Sequence, residues 1–223
     1  MLYIVSTPIG NLKDISFRAV ETLQNVDLIA AEDTRHTKIL CQHYKIETPL
    51  TSYFEHNKIK KGEYLIKLLK EGKDIALVSD AGTPGISDPG YRLISMAKEN
   101  DVVVTVVPGA TALIAALNLS GLPTDKFIFE GFLPVKEHAR KKLLEQLKEE
   151  KRTIIFYESP HRLIKSLIDI RDVLNDPVIV CVREITKKFE EVQQKKTSVL
   201  IADYETKSPK GEFVLVMNLK END

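Results

Sequence analysis

Cysteine is scarce in this chain: two residues among 223, Cys41 and Cys181, each in an apolar stretch. Neither belongs to a CxxC pair or lies at metal-ligand spacing from other cysteines or histidines, which argues against a disulfide framework and against a zinc site. No apolar run approaches the ~20 residues that a membrane-spanning helix needs. The opening run Met1 to Ser6 is short, apolar and not preceded by basic residues, so it reads as a buried first strand and not as a secretion signal. The expected location is the cytoplasm, with no membrane partner. An excess of charge of one sign is also missing, because 32 Lys and Arg balance 32 Asp and Glu. The field of the whole chain therefore singles out no polyanionic partner, and any surface that binds one has to be local. Two cofactor fingerprints are absent as well: GxGxxG for dinucleotides and GxxxxGK[ST] for nucleoside triphosphates.

What is present is α/β alternation, strand-length apolar runs separated by longer amphipathic segments, in a chain with 43% hydrophobic residues. Strands are expected at Leu2 to Ser6, Asp27 to Ala31, Leu50 to Tyr53, Ile75 to Ser79 and Val102 to Val106. Helices are expected at Ser16 to Asn25, about 36 to 43, Lys58 to Lys70, Tyr91 to Glu99 and Ala110 to Leu119. The segment Asn118 to Asp125, with Ser120, Gly121 and Pro123, breaks the rhythm. It places a domain boundary between an N-terminal α/β domain, 1–119, and a C-terminal α/β domain, 120–223. The second domain should contain strands at Phe127 to Glu130, Thr153 to Tyr157, Val178 to Val182 and Glu212 to Asn218, with a weaker one at Glu191 to Lys195. Its helices fall at Lys136 to Glu150, Pro160 to Leu174 and Ser198 to Tyr204. Basic residues cluster at Lys58 to Lys61, at His138 to Lys142, and at Lys187 with Lys188. Together they would make a phosphate-facing stripe; singly each reads as a solvated face.

In open α/β sheets ligands bind beyond the carboxyl ends of the strands. Here those positions are rich in glycine and proline: Thr7 to Asn11 after the first strand, Asp80 to Gly85 after the fourth, and Pro108 to Thr111 after the fifth. Glycine lets the backbone approach a ligand, and proline stiffens the loop and lowers its ordering cost. Each loop alone is equally a simple turn; three on one sheet edge point to one pocket. Asp80 can accept hydrogen bonds from a sugar hydroxyl or an amino group and would repel a phosphate, so a neutral or cationic ligand fits best.

The segments STPIGNLKDIS, AEDTR, VSDAGTPGISDPG, PGATA, FYESPHR, REITKKFEE and KGEFVLV occur in an order that resembles the bacterial small-subunit rRNA methyltransferase I group of the tetrapyrrole methylase superfamily. The resemblance spans nearly the whole chain. It implies a two-domain tetrapyrrole methylase-like fold, each domain a mixed sheet flanked by helices, with S-adenosylmethionine in a cleft between the domains, and a homodimer. It further implies 2′-O-methylation of a cytidine ribose in the rRNA of the small subunit, as naked RNA or as the assembled particle. Carried over position by position, it assigns to the cofactor Pro8, Asp80, Gly82, Thr83, Ile86, Pro108, Thr111, Ala112, Tyr157, Gly211 and Glu212. Thr83 stands where other branches of the superfamily place aspartate, which leaves Asp80 as the nearer carboxylate. Longer members continue past KGEFVLV with a small helical segment, whereas this sequence ends at Asp223, as expected of a short member.

Methyl transfer from a sulfonium needs alignment and removal of a hydroxyl proton, and no metal ion, since the leaving group departs as a neutral thioether. Glu158 and Lys187, followed by Glu32, are the expected proton handlers. Arg35, Arg162, Arg183 and Lys188 are the expected RNA contacts, through charge and, for arginine, a planar fork that suits phosphate. Glu32 and Asp33 are equally placed to cap the helix that follows, and His161 to sit in a first helical turn. Two alternatives stay open: a methyltransferase acting on carbon of a corrin or porphyrin precursor, and a noncatalytic ribosome-assembly module.

Overall fold

In the computed structural model, which describes residues 1–222, the first part of the chain runs β1 (Leu2–Val5), α1 (Phe17–Asn25), β2 (Leu28–Ala31), α2 (Thr34–His43), β3 (Leu50–Ser52), α3 (Lys58–Lys70), β4 (Ile75–Val78), α4 (Gly90–Glu99) and β5 (Val104–Val107). The second part runs α5 (Ala112–Ser120), β6 (Phe127–Phe132), α6 (Glu137–Gln146), β7 (Thr153–Glu158), α7 (Leu163–Leu174), β8 (Val178–Arg183), β9 (Glu191–Lys196), α8 (Thr197–Thr206) and β10 (Phe213–Met217). Each strand and helix expected from periodicity is present. The chain divides into two compact units, Met1–Thr111 and Ala112–Asp223.

The first unit is a sheet of order β3-β2-β4-β1-β5, parallel at each of its pairings. Successive side chains of a strand point to opposite faces, and here both faces are apolar. Val5, Ile29, Ala31, Ala76 and Val78 pack with α1 and α2 residues such as Ala19, Leu23 and Leu40. Leu2, Ala30, Ile75 and Leu77 pack with Leu65, Leu69 and Leu93 of α3 and α4. Burial on both faces is what a parallel sheet with crossover helices requires. Polar caps set where helices begin: Ser16 accepts the Ala19 amide at the start of α1, and Asp33 accepts the Arg35 amide at the start of α2.

The second unit is a sheet of order β6-β7-β10-β8-β9, with β6 and β7 parallel and the remaining pairings antiparallel. Its core joins Ile154, Phe156, Cys181 and Leu215 of the sheet to Leu163, Leu167 and Ile170 of α7 and Leu200 of α8. The weak strand near Glu191 is a full partner of β8 over six residue pairs; as an edge strand with the sequence EVQQKK it shows little apolar alternation. One boundary differs from the sequence reading, which set 112–119 in the first domain. Helix α5 buries Leu113, Ala116 and Leu117 and packs on β7, β8 and β10, so it belongs to the second unit. Its composition is apolar on every side, so it bears no periodic mark of which sheet it serves. Cys41 and Cys181 are buried free thiols. Among the described residues no helix is long and apolar enough to cross a membrane.

Candidate active site

All strands of a parallel sheet deliver their carboxyl ends to one edge, and in the first unit the loops there are tied to each other. Thr7 N–H donates to Gly82 O (2.9 Å) and Gly82 N–H to Thr7 O (3.1 Å), joining the β1 and β4 loops. The Thr83 hydroxyl lies 3.0 Å from Ser6 Oγ, 2.6 Å from Thr111 Oγ1 and 3.3 Å from Ala110 O, which adds the β5 loop. Asp80 Oδ1 accepts the Asp33 amide at 2.9 Å, and the Asp80 amide donates to Glu32 at 3.3 Å, which adds the β2 tip. Thr7, Pro8, Gly10, Ser79 and Asp80 line a recess whose other walls include Leu12, His36, Ile39 and Leu40. Pro108 and Ile86 are exposed.

This edge is strongly acidic. Burial raises the Glu32 carboxyl above its usual range, the Asp80 amide offsets part of that, and the charges of Asp80, Asp88 and Asp33 raise it further. Asp33 is the exception: the Arg35 guanidinium grips it and holds its carboxyl at about 2. Asp88 accepts the Gly85 amide at 2.9 Å and the Gly90 amide at 2.7 Å, so its carboxylate braces the GTPG loop from within. Burial nonetheless pushes the Asp88 carboxyl up.

In the second unit β10 runs antiparallel to both neighbours, and Phe213 pairs with Glu158 on one side and Arg183 on the other. The ends of β7 and β8 and the entry to β10 therefore share one edge. Glu158, 2% exposed, accepts from its neighbour's amide, Ser159 N (2.8 Å), from Arg162 Nη2 (2.8 Å) and from the Ser166 hydroxyl. Arg162 also donates to Leu133 O at 3.1 Å. Lys187 Nζ donates to Glu184 at 3.0 Å and to Glu212 at 2.8 Å. Burial works against the Lys187 charge, but the hydrogen bonds to Glu212 and Glu184 outweigh it and lift the ammonium above the ordinary lysine value. Gly211, at φ +91, leaves room for this arrangement, since a Cβ there would stand 2.5 Å from Glu184 side-chain atoms. The Tyr157 hydroxyl accepts the Leu113 amide at 3.1 Å in the first turn of α5, where Ala112 begins the helix.

The family profile of the tetrapyrrole (corrin/porphyrin) methylases matches residues 1–200. The chain belongs to this family. A protein named ribosomal RNA small subunit methyltransferase I from Synechocystis sp. is 53% identical over 218 residues, covering 97% of this chain and 78% of its own. The protein of the same name from Thermotoga maritima is 49% identical over 220 residues, covering 99% of each. Among solved structures, a diphthine synthase superposes with TM-score 0.77 over 97% of this chain and 89% of its own at 15% identity. A uroporphyrin-III-C-methyltransferase from Thermus thermophilus does so with TM-score 0.68 over 98% of this chain and 94% of its own at 17% identity. These two are likenesses of fold.

In this tetrapyrrole methylase the first unit brings together Pro8, Asp80, Gly82, Thr83 and Thr111, and Ser6, Thr83 and Thr111 form a hydroxyl cluster. The second unit brings Tyr157, Glu158, Arg162, Arg183, Lys187, Gly211 and Glu212 to one sheet edge, most of them already engaged with one another. Arg183 donates to Lys210 O at 2.6 Å. Lys188 is exposed, with its ammonium 5.6 Å from the Phe189 ring centre. In the basic cluster at His138 to Lys142, Arg140 is buried and paired with Asp169, and Lys141 pairs with Glu137, while His138 and Lys142 are exposed. Sequence reasoning missed Asp88 and Arg140. Asp88 was signalled by the Asp-Pro-Gly turn in VSDAGTPGISDPG; Arg140 carried no local signal, because its partner lies on another helix.

Proposed function

We infer that the chain transfers the methyl group of S-adenosylmethionine to small-subunit ribosomal RNA, at the 2′-hydroxyl of a cytidine ribose, acting as a cytoplasmic homodimer. The observation that carries the choice of cofactor is the acidic strand-tip edge of the first unit, with Asp80 lining its recess. Burial and the negative charges of its neighbours raise the proton affinity of Glu32 and of Asp88, and so acidic an edge repels phosphate and favours a cation. The recess pairs aliphatic walls, Leu12, Ile39 and Leu40, with the polar groups of Thr7, Ser79 and Asp80, which suits a nucleoside carrying a sulfonium. The choice of RNA is supported by relatives about half identical over nearly the whole chain.

When bound, S-adenosylmethionine supplies an activated methyl group whose sulfur departs uncharged. The residues of this chain have two tasks, orientation and proton removal. Orientation contributes roughly 7–11 kcal/mol in well-aligned systems, and a general base about 10²–10⁴ in rate, so the rigidity of the tied loops matters most. Thr7, Thr83 and Asp80 hold the nucleoside, and Asp88 keeps the GTPG loop in shape. Glu32 takes the ribose proton, because its carboxyl is the candidate that burial moves toward neutrality. Glu158 is a positioning residue whose carboxylate fixes Arg162. Lys187, held as an ammonium by two glutamates, is a binding group. Arg35 and Lys188, both exposed, contact phosphates.

Replacing Asp88 with asparagine is expected to weaken cofactor binding about tenfold. The amide nitrogen would face the Gly85 or Gly90 N–H, and losing a charged acceptor costs roughly 1–3 kcal/mol. Calorimetric titration with S-adenosylmethionine reads this directly; unchanged affinity would show that the loop keeps its shape without the carboxylate. The function itself is tested by incubating the protein and labelled cofactor with small subunits lacking the modification, then mapping the label. Label on a cytidine ribose is expected, and binding of cofactor without transfer would leave a noncatalytic module.

A further inference from the structure

Strand β6 lies at the edge of the second sheet, paired to β7 alone, and its register slips between Phe129 and Phe132. Gly131 takes up the slip at φ +66, a backbone conformation that glycine adopts without penalty. The consequence falls on Phe132. It pairs opposite Tyr157, touches that ring at 5.7 Å between centroids, and yet remains 50% exposed. The Arg162 guanidinium carbon sits 5.9 Å from the centre of the Phe132 ring. This guanidinium is held in place by Glu158 at 2.8 Å and by Leu133 O at 3.1 Å.

The chain that follows Phe132 is held just as firmly. Arg140 donates to Pro134 O and Val135 O, each at 3.1 Å, and is itself fixed by Asp169, the two side chains being 6% and 4% exposed. Three consecutive carbonyls, 133 to 135, are thus anchored by two arginines, each bound to a buried carboxylate. Ordering so much polar structure beneath an exposed phenyl ring costs stability, and the ring gains little from its own half-burial. An immobilised aromatic face beside an arginine is the combination on which unpaired bases stack, whatever the base, because every base has a π-face and the guanidinium plane adds a cation–π contact.

We propose that Phe132, with Arg162 beside it, is the platform on which an unpaired nucleobase of the RNA substrate stacks. The proposal rests on the RNA-methylating reading above. It is tested with the full chain and a short, unstructured, fluorescein-labelled pyrimidine RNA, by anisotropy at several salt concentrations. Phe132→Leu should weaken binding about tenfold or more, as expected for a lost base stack, while Phe132→Tyr stays within about twofold of wild type by the same stacking argument. The slope of log affinity against log salt should be the same for all three, since no phosphate contact is removed. Equal binding by Phe132→Leu and wild type overturns the proposal, as does equal loss in the Leu and Tyr variants. A change of oligomeric mass confined to Phe132→Leu also overturns it, by assigning the ring to a contact between copies of the chain. Failure of the methylation reading looks different: no label reaches the small subunit although the wild-type protein binds RNA.

Discussion

Arg140→Ala should destabilise the protein by about 3–5 kcal/mol, the range seen when one member of a buried ion pair is removed. The side chains of Arg140 and Asp169 are 6% and 4% exposed. Without the guanidinium, Asp169 keeps only Lys141, whose ammonium is 3.5 Å away on a side chain 40% exposed and so too well solvated to compensate. Pro134 O and Val135 O lose their donor in the same step. For a unit of about a hundred residues the melting temperature should fall by roughly 10 °C or more. The double replacement Arg140→Met with Asp169→Leu should recover most of the loss, because it removes both charges and keeps the volume. Urea denaturation of the three variants measures this; a loss below about 1 kcal/mol for Arg140→Ala would mean that Lys141 suffices as partner.

The second large effect is on catalysis. Glu32→Gln keeps the size of the side chain and a hydrogen-bond acceptor for the Asp80 amide, but removes the proton acceptor, so kcat is expected to fall by about 10²–10⁴, far more than cofactor affinity falls through the loss of one of several acidic charges. The sign of the pH dependence follows from burial. A base works only when ionised, and the Glu32 carboxyl is raised above its usual range by desolvation and by neighbouring negative charge. The wild-type rate should therefore climb as pH rises through that raised value and level off above it. The Gln variant should lack this acidic limb. A variant with wild-type kcat and the same limb would remove Glu32 from the mechanism and leave the proton to solvent.

Much of the fold was legible because it is written in local periodicity. The apolar run IALV before the glycine-rich loop reads as a central strand and is one. KIKKGEYLIKLLK reads as a helix with one apolar face, and its Leu65, Ile66 and Leu69 are buried. The convergence of three loops was legible too, since strand tips of a parallel sheet share an edge. Illegible from the same residues was the allegiance of α5, apolar on all sides. The fate of the charges was equally hidden. His138 to Lys142 looks like a solvated basic face, yet Arg140 turns into the core. Glu158 looks like a free carboxylate after a strand, and is enclosed by Ser159, Ser166 and Arg162.

By itself the sequence determined the order of strands and helices, the family through the order of its motifs, and the sheet edge on which ligand loops emerge, because these depend on residues close in the chain. Tertiary structure alone decided which charged groups are spoken for. Arg140 meets Asp169, Lys187 meets Glu212, and Asp80 meets the Asp33 amide across long stretches of chain. Proton affinity and availability are set by desolvation and by partners brought near through folding, and neither is a property of local sequence.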